Sequence, residues 1–100
     1  LAAFAAAYRR MLLSHPRAVP LVATHPVDAE LGLRLLAPLV EQFGAAGIGQ
    51  RDATTAIQSV GVFVLGHALA QVPDSGPYYD EWFETGLAAM ITGFTSRLGS

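Results

Sequence analysis

The stretch that decides the fold is ATTAIQSVGVFVLGHALAQVP, residues 53–73, in which no side chain is charged. Its apolar side chains occur on nearly all sides of a helix, with Ile57 and Val64 on one side and Leu69 on another. A helix that is apolar all round is packed all round by its neighbours. We therefore predict a central buried helix over residues 49–71.

The same charge-free run is long enough to cross a bilayer, so a membrane span is a second interpretation. Thr54, Gln58 and His67, however, place polar side chains along the run. Asp52 and Asp74, rather than a cluster of basic residues, flank its ends. We therefore favour the buried helix and expect no membrane partner.

Prolines divide the chain before this helix. Apolar residues at helical spacing predict a first helix over residues 1–15, which Pro16 ends because the residue before a proline resists the α conformation. Residues 16–24 are expected to form a short helix or turn that Pro20 breaks.

A longer helix is predicted next. Asp28 is a suitable N-cap residue, and the apolar pattern after it continues to about residue 46. Pro38 lies inside this helix and is expected to kink it, because proline removes a backbone hydrogen bond. Gly44 and Gly47 supply its C-terminal stop.

The last predicted helix covers residues 80–98 and follows a loop at residues 72–78. Asp80 near its start and Arg97 near its end both suit the helix dipole. No segment shows the alternating pattern of a β-strand. The sequence therefore predicts an all-α bundle of four to five helices in a single domain, residues 1–100.

The helices at residues 49–71 and 80–98 carry more apolar surface than the remaining helices can cover. Small residues such as Gly66 and Gly93 permit close helix approach. We therefore expect a homodimer in which this pair meets its own copy as a four-helix bundle. The alternative is that the glycines merely tolerate crowding within one chain. The expected dimer interface consists of Val62, Leu65, Leu69, Phe83, Leu87, Met90, Ile91 and Phe94.

Composition and spacing do not favour catalysis, metal binding or direct contact with nucleic acid. The net charge is −2 and the chain contains no cysteine, which argues against nucleic-acid binding and excludes disulfides and thiolate sites. The histidines at 15, 25 and 67 lack the spacing of a zinc motif, so structural or capping roles are favoured. We expect no catalytic residues, no metal and no cofactor.

Polar side chains on otherwise apolar faces, among them Thr24, Thr54 and Gln58, are compatible with a small-molecule cavity. Such a cavity is usually lined by aliphatic groups with a few hydrogen-bonding residues. The alternative is that threonine and glutamine side chains bond back to the helix backbone or face water. The pattern alone leaves both interpretations open.

Four segments together resemble the C-terminal domain of TetR-family regulators, in the tetracycline-repressor-like branch. They are YRRMLLSHP at 8–16, PLVATHP at 20–26, the run over 46–66 and the run over 83–94. The third looks like the dimerisation helix of that branch, and the fourth is similar to the family's last helix. Each segment alone is short, but their order and spacing cover nearly the whole chain.

The resemblance implies the effector-binding and dimerisation half of a bacterial, cytoplasmic transcription regulator, expected to be a repressor. In this family an N-terminal helix-turn-helix domain, which is missing here, binds operator DNA as a dimer. A small molecule among the C-terminal helices favours a spacing of the DNA-reading heads that misfits the operator. The expected partners are a second copy, a small effector, and operator DNA through the missing domain.

The resemblance also implies an effector pocket. Its expected lining is Leu21, Thr24, Leu36, Ala37, Val40, Thr54, Ile57 and Gly61. Leu21 stands where the tetracycline repressor has a histidine that takes part in drug and metal binding, so its magnesium–tetracycline chemistry is not expected. The loop at residues 72–79 is shorter than the family segment that covers the partner's pocket. We expect a small apolar or aromatic effector.

A different class of protein is the alternative: a stand-alone helical interaction domain, or a carrier of apolar ligands. Such a domain would share the helical fold and the cavity but would have no DNA-binding half. An enzyme comes third, because no cluster of residues supports chemistry.

Overall fold

The chain folds into five α-helices in a computed structural model that describes residues 1–24, 29–73 and 76–98, with side chains described for all of these except residues 29–33. The helices are α1 (Ala2–Ser14), α2 (Val19–Thr24), α3 (Ala29–Ala45), α4 (Gln50–Gln71) and α5 (Tyr78–Leu98), with a short 3₁₀ helix (Pro16–Ala18) between α1 and α2. Within these ranges no residue forms a β-strand. The predicted all-α class is confirmed.

The central position belongs to α4, which packs against α1, α2, α3 and α5. Its apolar side chains recur at helical spacing, so one side of α4 forms the middle of the core. Val60 and Val64 on that side are completely buried. The core cluster consists of Ala5, Leu12, Val19, Val60, Val64, Ala68, Phe83 and Leu87.

Among the described helices, α4 is the one long and apolar enough to cross a membrane by length and composition. The core helix of a globular protein passes the same test. Because four other helices pack on α4, we interpret it as the core helix that the sequence predicts.

The prediction that Pro20 breaks the segment over residues 16–24 is wrong. Pro20 is the second residue of α2, which continues to Thr24. The first N–H groups of any helix have no acceptor within it, so a proline in the first turn removes no helical hydrogen bond. The proline at position 16 instead begins the 3₁₀ helix.

The connection between α3 and α4 follows the predicted glycines. Gly47 has a φ of 87°, the left-handed conformation that glycine adopts without steric cost. Gly49 is the N-cap residue of α4. Pro38 lies inside α3, and the expected kink there stays a prediction. The predicted cap at Asp28 lies outside the described residues.

The last helix begins two residues earlier than predicted, at Tyr78 rather than at Asp80. Pro77 directly precedes it and needs no backbone donor there. Asp80 and Glu81 lie in its first turn and Arg97 in its last, which matches the polarity of the helix dipole.

The crossing of α4 over α5 is closest at Gly86. A Cβ atom at Gly86 would lie 2.8 Å from Cζ of Phe63, so only glycine fits there without displacing the ring. At Gly61, Gly66 and Gly93, by contrast, an added Cβ would meet no heavy atom within 4 Å. Crowding within the chain therefore accounts for Gly86 but not for the other three glycines.

Candidate functional site

Three of the predicted pocket residues share one side of α4. Thr54, Ile57 and Gly61 follow one another at three and four residues, the spacing that aligns side chains on a helix. Ile57 is buried yet does not belong to the core cluster, and Thr54 and Gly61 are half-buried. Since Gly61 has open space where a side chain would stand, this side of α4 has room beside it.

Two further pocket residues come from α3, which packs on α4. Leu36 and Val40 are half-buried and lie four residues apart, so they share one side of α3. Ala37, next to Leu36, is exposed. We use the name α3–α4 pocket for the predicted pocket residues on these two helices that are half-buried or buried, and the cavity itself stays a prediction; the residues are Leu36, Val40, Thr54, Ile57 and Gly61.

The two residues expected from α2 are both exposed. Leu21 exposes 59% of its surface, and the Thr24 hydroxyl donates a hydrogen bond of 2.8 Å to the Pro20 carbonyl. Thr55 likewise bonds back to the Arg51 carbonyl. Thr24 and Thr55 therefore both hydrogen-bond to their own helix backbone, as the alternative interpretation of the polar side chains predicts.

An open depression lies at the start of α4, lined by Gln50, Arg51, Thr54 and Thr55. It shares only Thr54 with the predicted lining. All four lining residues lie in the first two turns of α4, so this depression does not include the predicted pocket residues of α3.

The predicted interface residues of α4 lie opposite its buried side. Val62 exposes 72% of its surface and Leu69 exposes 39%. Leu65 is half-buried and Gly66 is exposed. We call Val62, Leu65, Gly66 and Leu69 the outer face of α4.

The predicted interface residues of α5 lie differently. Phe83 and Leu87 are buried in the core cluster, so they offer almost no surface to a partner. Met90 and Ile91 are half-buried against the same cluster, and Phe94 is half-buried. The apolar stripe of α5 therefore points largely into its own chain, because helical periodicity identifies an apolar face but not what covers it.

A cluster that sequence reasoning missed lies where α4 meets the start of α5. His67 is 4% exposed and lies against four aromatic rings. Its ring centroid is 4.8 Å from that of Trp82, 5.3 Å from Phe83, 5.7 Å from Tyr79 and 5.9 Å from Phe63. We call these five residues the aromatic junction. The density of aromatic residues over 78–83 is the signal that could have pointed to it.

Arg9 links α1 to the same junction. Its guanidinium donates hydrogen bonds to Asp80 Oδ1 at 2.7 Å and to Gln71 Oε1 at 2.9 Å. It also lies 4.5 Å above the centre of the Phe83 ring, in cation–π geometry. Three helices therefore meet at one charged group beside His67.

Burial lowers the pKa of His67, and the positive charge of Arg9 lowers it further. The Tyr79 backbone and the Asp80 charge act in the opposite direction. The Tyr79 backbone approaches His67 without forming a well-shaped hydrogen bond, and among the described residues neither ring nitrogen has a hydrogen-bond partner. His67 is thus a neutral ring in a largely apolar box.

The sequence over residues 1–76 matches the family described as "Tetracyclin repressor-like, C-terminal domain". The chain belongs to this TetR family. Neither the curated proteins nor the solved structures contain a match to it. The match covers α1 to α4, so it includes both the α3–α4 pocket and the outer face of α4.

The family assignment confirms the resemblance noted from the sequence. TetR-family C-terminal domains are regulatory, and in general they dimerise and bind small-molecule effectors. Over the described residues, no group of three or more histidine, aspartate or glutamate side chains could hold a metal ion.

Proposed function

We propose that this chain is the effector-binding and dimerisation domain of a TetR-family transcriptional regulator that acts as a repressor in the bacterial cytoplasm. The observation that carries the proposal, beyond the family match, is the division of α4 into two sides. One side holds the α3–α4 pocket, with Thr54, Ile57 and Gly61. Another holds exposed apolar residues, Val62 and Leu69, which a second copy can cover.

In the proposed mechanism the outer face of α4, with the exposed edge of α5, meets its own copy across a two-fold axis. A DNA-binding domain outside this chain reads a palindromic operator, which fits only one separation of the two recognition helices. A small apolar or aromatic effector in the α3–α4 pocket binds one arrangement of the dimer better than the other and so releases the operator.

The shared helix explains how the two events are coupled. Gly61 on the pocket side and Val62 on the outer face are consecutive residues of α4. A helix moves as a rigid body over such distances, so a shift that accommodates an effector also shifts the surface offered to the partner. No separate transmitting element is needed.

The dimer part of the proposal is tested by Val62→Glu. We expect this variant to sediment as a monomer, because a carboxylate buried without a partner weakens association by about 3 kcal/mol or more. The chain stays folded, since Val62 is 72% exposed within it. Helical circular dichroism checks the folding.

The matched control is Leu35→Glu, which adds the same charge on α3 at a residue that is 69% exposed. It should leave the sedimentation coefficient unchanged. A Val62→Glu protein that remains dimeric contradicts the proposed interface. Leu87→Glu does not test the interface, because Leu87 belongs to the core of the chain and its replacement would unfold the monomer.

The pocket part of the proposal is tested with the fluorescent probe anilinonaphthalene sulfonate. We expect Gly61→Leu to weaken probe binding about tenfold or more, because the added side chain occupies the space beside α4. Gln42→Leu, at an exposed position of α3, is the control and should bind the probe like the parent chain. Equal binding by both variants would place the ligand site elsewhere.

A further inference from the structure

His67 lies at the point where α1, α4 and α5 come together. It belongs to α4, its ring packs against Tyr79, Trp82 and Phe83 of α5, and Arg9 of α1 lies over the Phe83 ring. Of the two histidines among the described residues, His67 is buried and His15 is exposed. His67 is therefore the one buried imidazole among the described residues.

We propose that His67 makes the aromatic junction a proton-sensitive contact: the start of α5 is held on α4 while His67 is neutral, and it is released when His67 takes up a proton. Only the further consequence, that acid weakens the dimer, rests on the proposed function. The release of α5 itself is a property of a single chain.

The charged and titratable groups around His67 come from each helix packed there. Arg9 comes from α1, and Tyr79 and Asp80 come from α5. Asp80 is already paired with Arg9 at 2.7 Å, and its side chain is 75% exposed. Its attraction for a charged His67 is therefore shared with Arg9 and screened by water.

A protonated His67 would carry a positive charge and one additional N–H donor into this box. The Tyr79 backbone favours the charged form in part, but neither ring nitrogen makes a well-shaped hydrogen bond among the described residues, so the charge would lose more hydration than the protein replaces. The four surrounding rings offer cation–π attraction, but the face of Phe83 is already occupied by Arg9. Like-charge repulsion from Arg9 adds to the cost, so the neutral form is favoured in the closed junction.

The pH range follows from the lowered pKa. Stability from this site is complete above the unfolded-state pKa of about 6.5 and falls as the pH drops below that value, because the unfolded chain binds a proton that the folded chain resists. For one such group, the equilibrium constant for opening rises by up to about tenfold for each pH unit lost.

The experiment uses the fluorescence of Trp82, the single tryptophan of the chain. The emission spectrum is recorded between about pH 7.5 and about pH 5, above the range where most carboxylates titrate. Trp82 is already 46% exposed in the closed junction, so we expect the parent chain to show a further red shift, with a midpoint below about 6.5, as the indole leaves His67. His67→Phe, which keeps an aromatic ring but cannot titrate, should lose this transition.

His15→Phe is the matched control, because His15 is exposed and its Nδ1 lies 3.1 Å from the Met11 carbonyl within α1. It should keep the transition of the parent chain. A transition that persists in His67→Phe, or a parent spectrum that does not change over this range, overturns the proposal.

A second measurement covers the case in which His67→Phe fails to fold. The pKa of the His67 imidazole is measured directly by nuclear magnetic resonance in the parent chain. A value below the unperturbed histidine value of about 6.5 supports the proposal, and a value equal to or above it overturns it. If the chain is monomeric at every pH while Trp82 still reports the transition, the proposed dimer fails and the proton-sensitive junction stands.

Discussion

The two sides of α4 differ in how completely the chain covers them. Toward α1 and α5, Val60 and Val64 have no exposed surface at all. Toward α3, Ile57 of α4 is 2% exposed, but none of residues 34–45 on α3 itself is fully buried, and Leu35 exposes 69% of its surface. The side built with α1 and α5 is therefore a core formed from several helices, whereas α3 covers α4 while leaving most of its own surface exposed.

This difference separates the part of the fold that supplies stability from the part that we propose for binding. The core side holds the chain together, since burial of apolar surface is the main favourable contribution to folding. The α3 side gains less from burial and can rearrange at lower cost, as binding regions commonly do. A ligand or a partner is what would complete it.

The largest expected effect on stability comes from the side of α4 that packs against α1 and α5. Leu12→Ala, at a residue that is 1% exposed, should lower the free energy of unfolding by about 2–5 kcal/mol, because it leaves a cavity in the core. Leu35→Ala is the matched substitution on α3 and should change it by no more than about 0.5 kcal/mol. Urea unfolding followed by circular dichroism measures both. Equal losses would mean that α3 belongs to the same core.

A smaller effect compares two glycines. Gly66→Ala should stabilise the isolated chain by about 0.5–1 kcal/mol, because alanine favours the helix and open space surrounds the position. Gly86→Ala gains the same preference but forces its Cβ against the Phe63 ring, which packs 5.6 Å from Phe83. Gly86→Ala should therefore lower the free energy of unfolding by about 1 kcal/mol.

Both glycine variants are measured by urea unfolding in the Val62→Glu background, so that association does not contribute. In the dimer we expect Gly66→Ala to destabilise rather than stabilise, since a partner helix packed on the outer face would meet the new methyl group. If the Gly66→Ala chain dimerises as tightly as its parent, the interface does not include this part of α4.

Much of the fold was predictable from the sequence because its signals are local. A charge-free run of helical length identifies α4, and glycine at positions 47 and 49 marks the turn before it. The family resemblance rests on the order of short segments and is confirmed by the match over residues 1–76. Such signals depend only on neighbours in sequence.

The candidate site was less predictable because it depends on which elements meet in space. Periodicity placed Phe83 and Leu87 on an apolar stripe, but it could not distinguish a stripe covered by α4 from one covered by a partner. The sequence favours a structural or capping role for His67 over metal binding, but it could not reveal the enclosure of the ring, which depends on Arg9 and Trp82 from other helices. The pocket residues stay predictions.

The ion pair between Arg9 and Asp80 joins residues that are 71 positions apart in the chain. During synthesis at roughly 5–20 residues per second, the ribosome therefore adds Asp80 roughly 4–14 seconds after Arg9. Helices themselves form within microseconds, so α1 exists for seconds before α5 is made, with the surface intended for α5 open to solvent. The newborn chain thus passes through a stage in which Leu12 is accessible to chaperones, and the addition of α4 and then of Phe83 ends it.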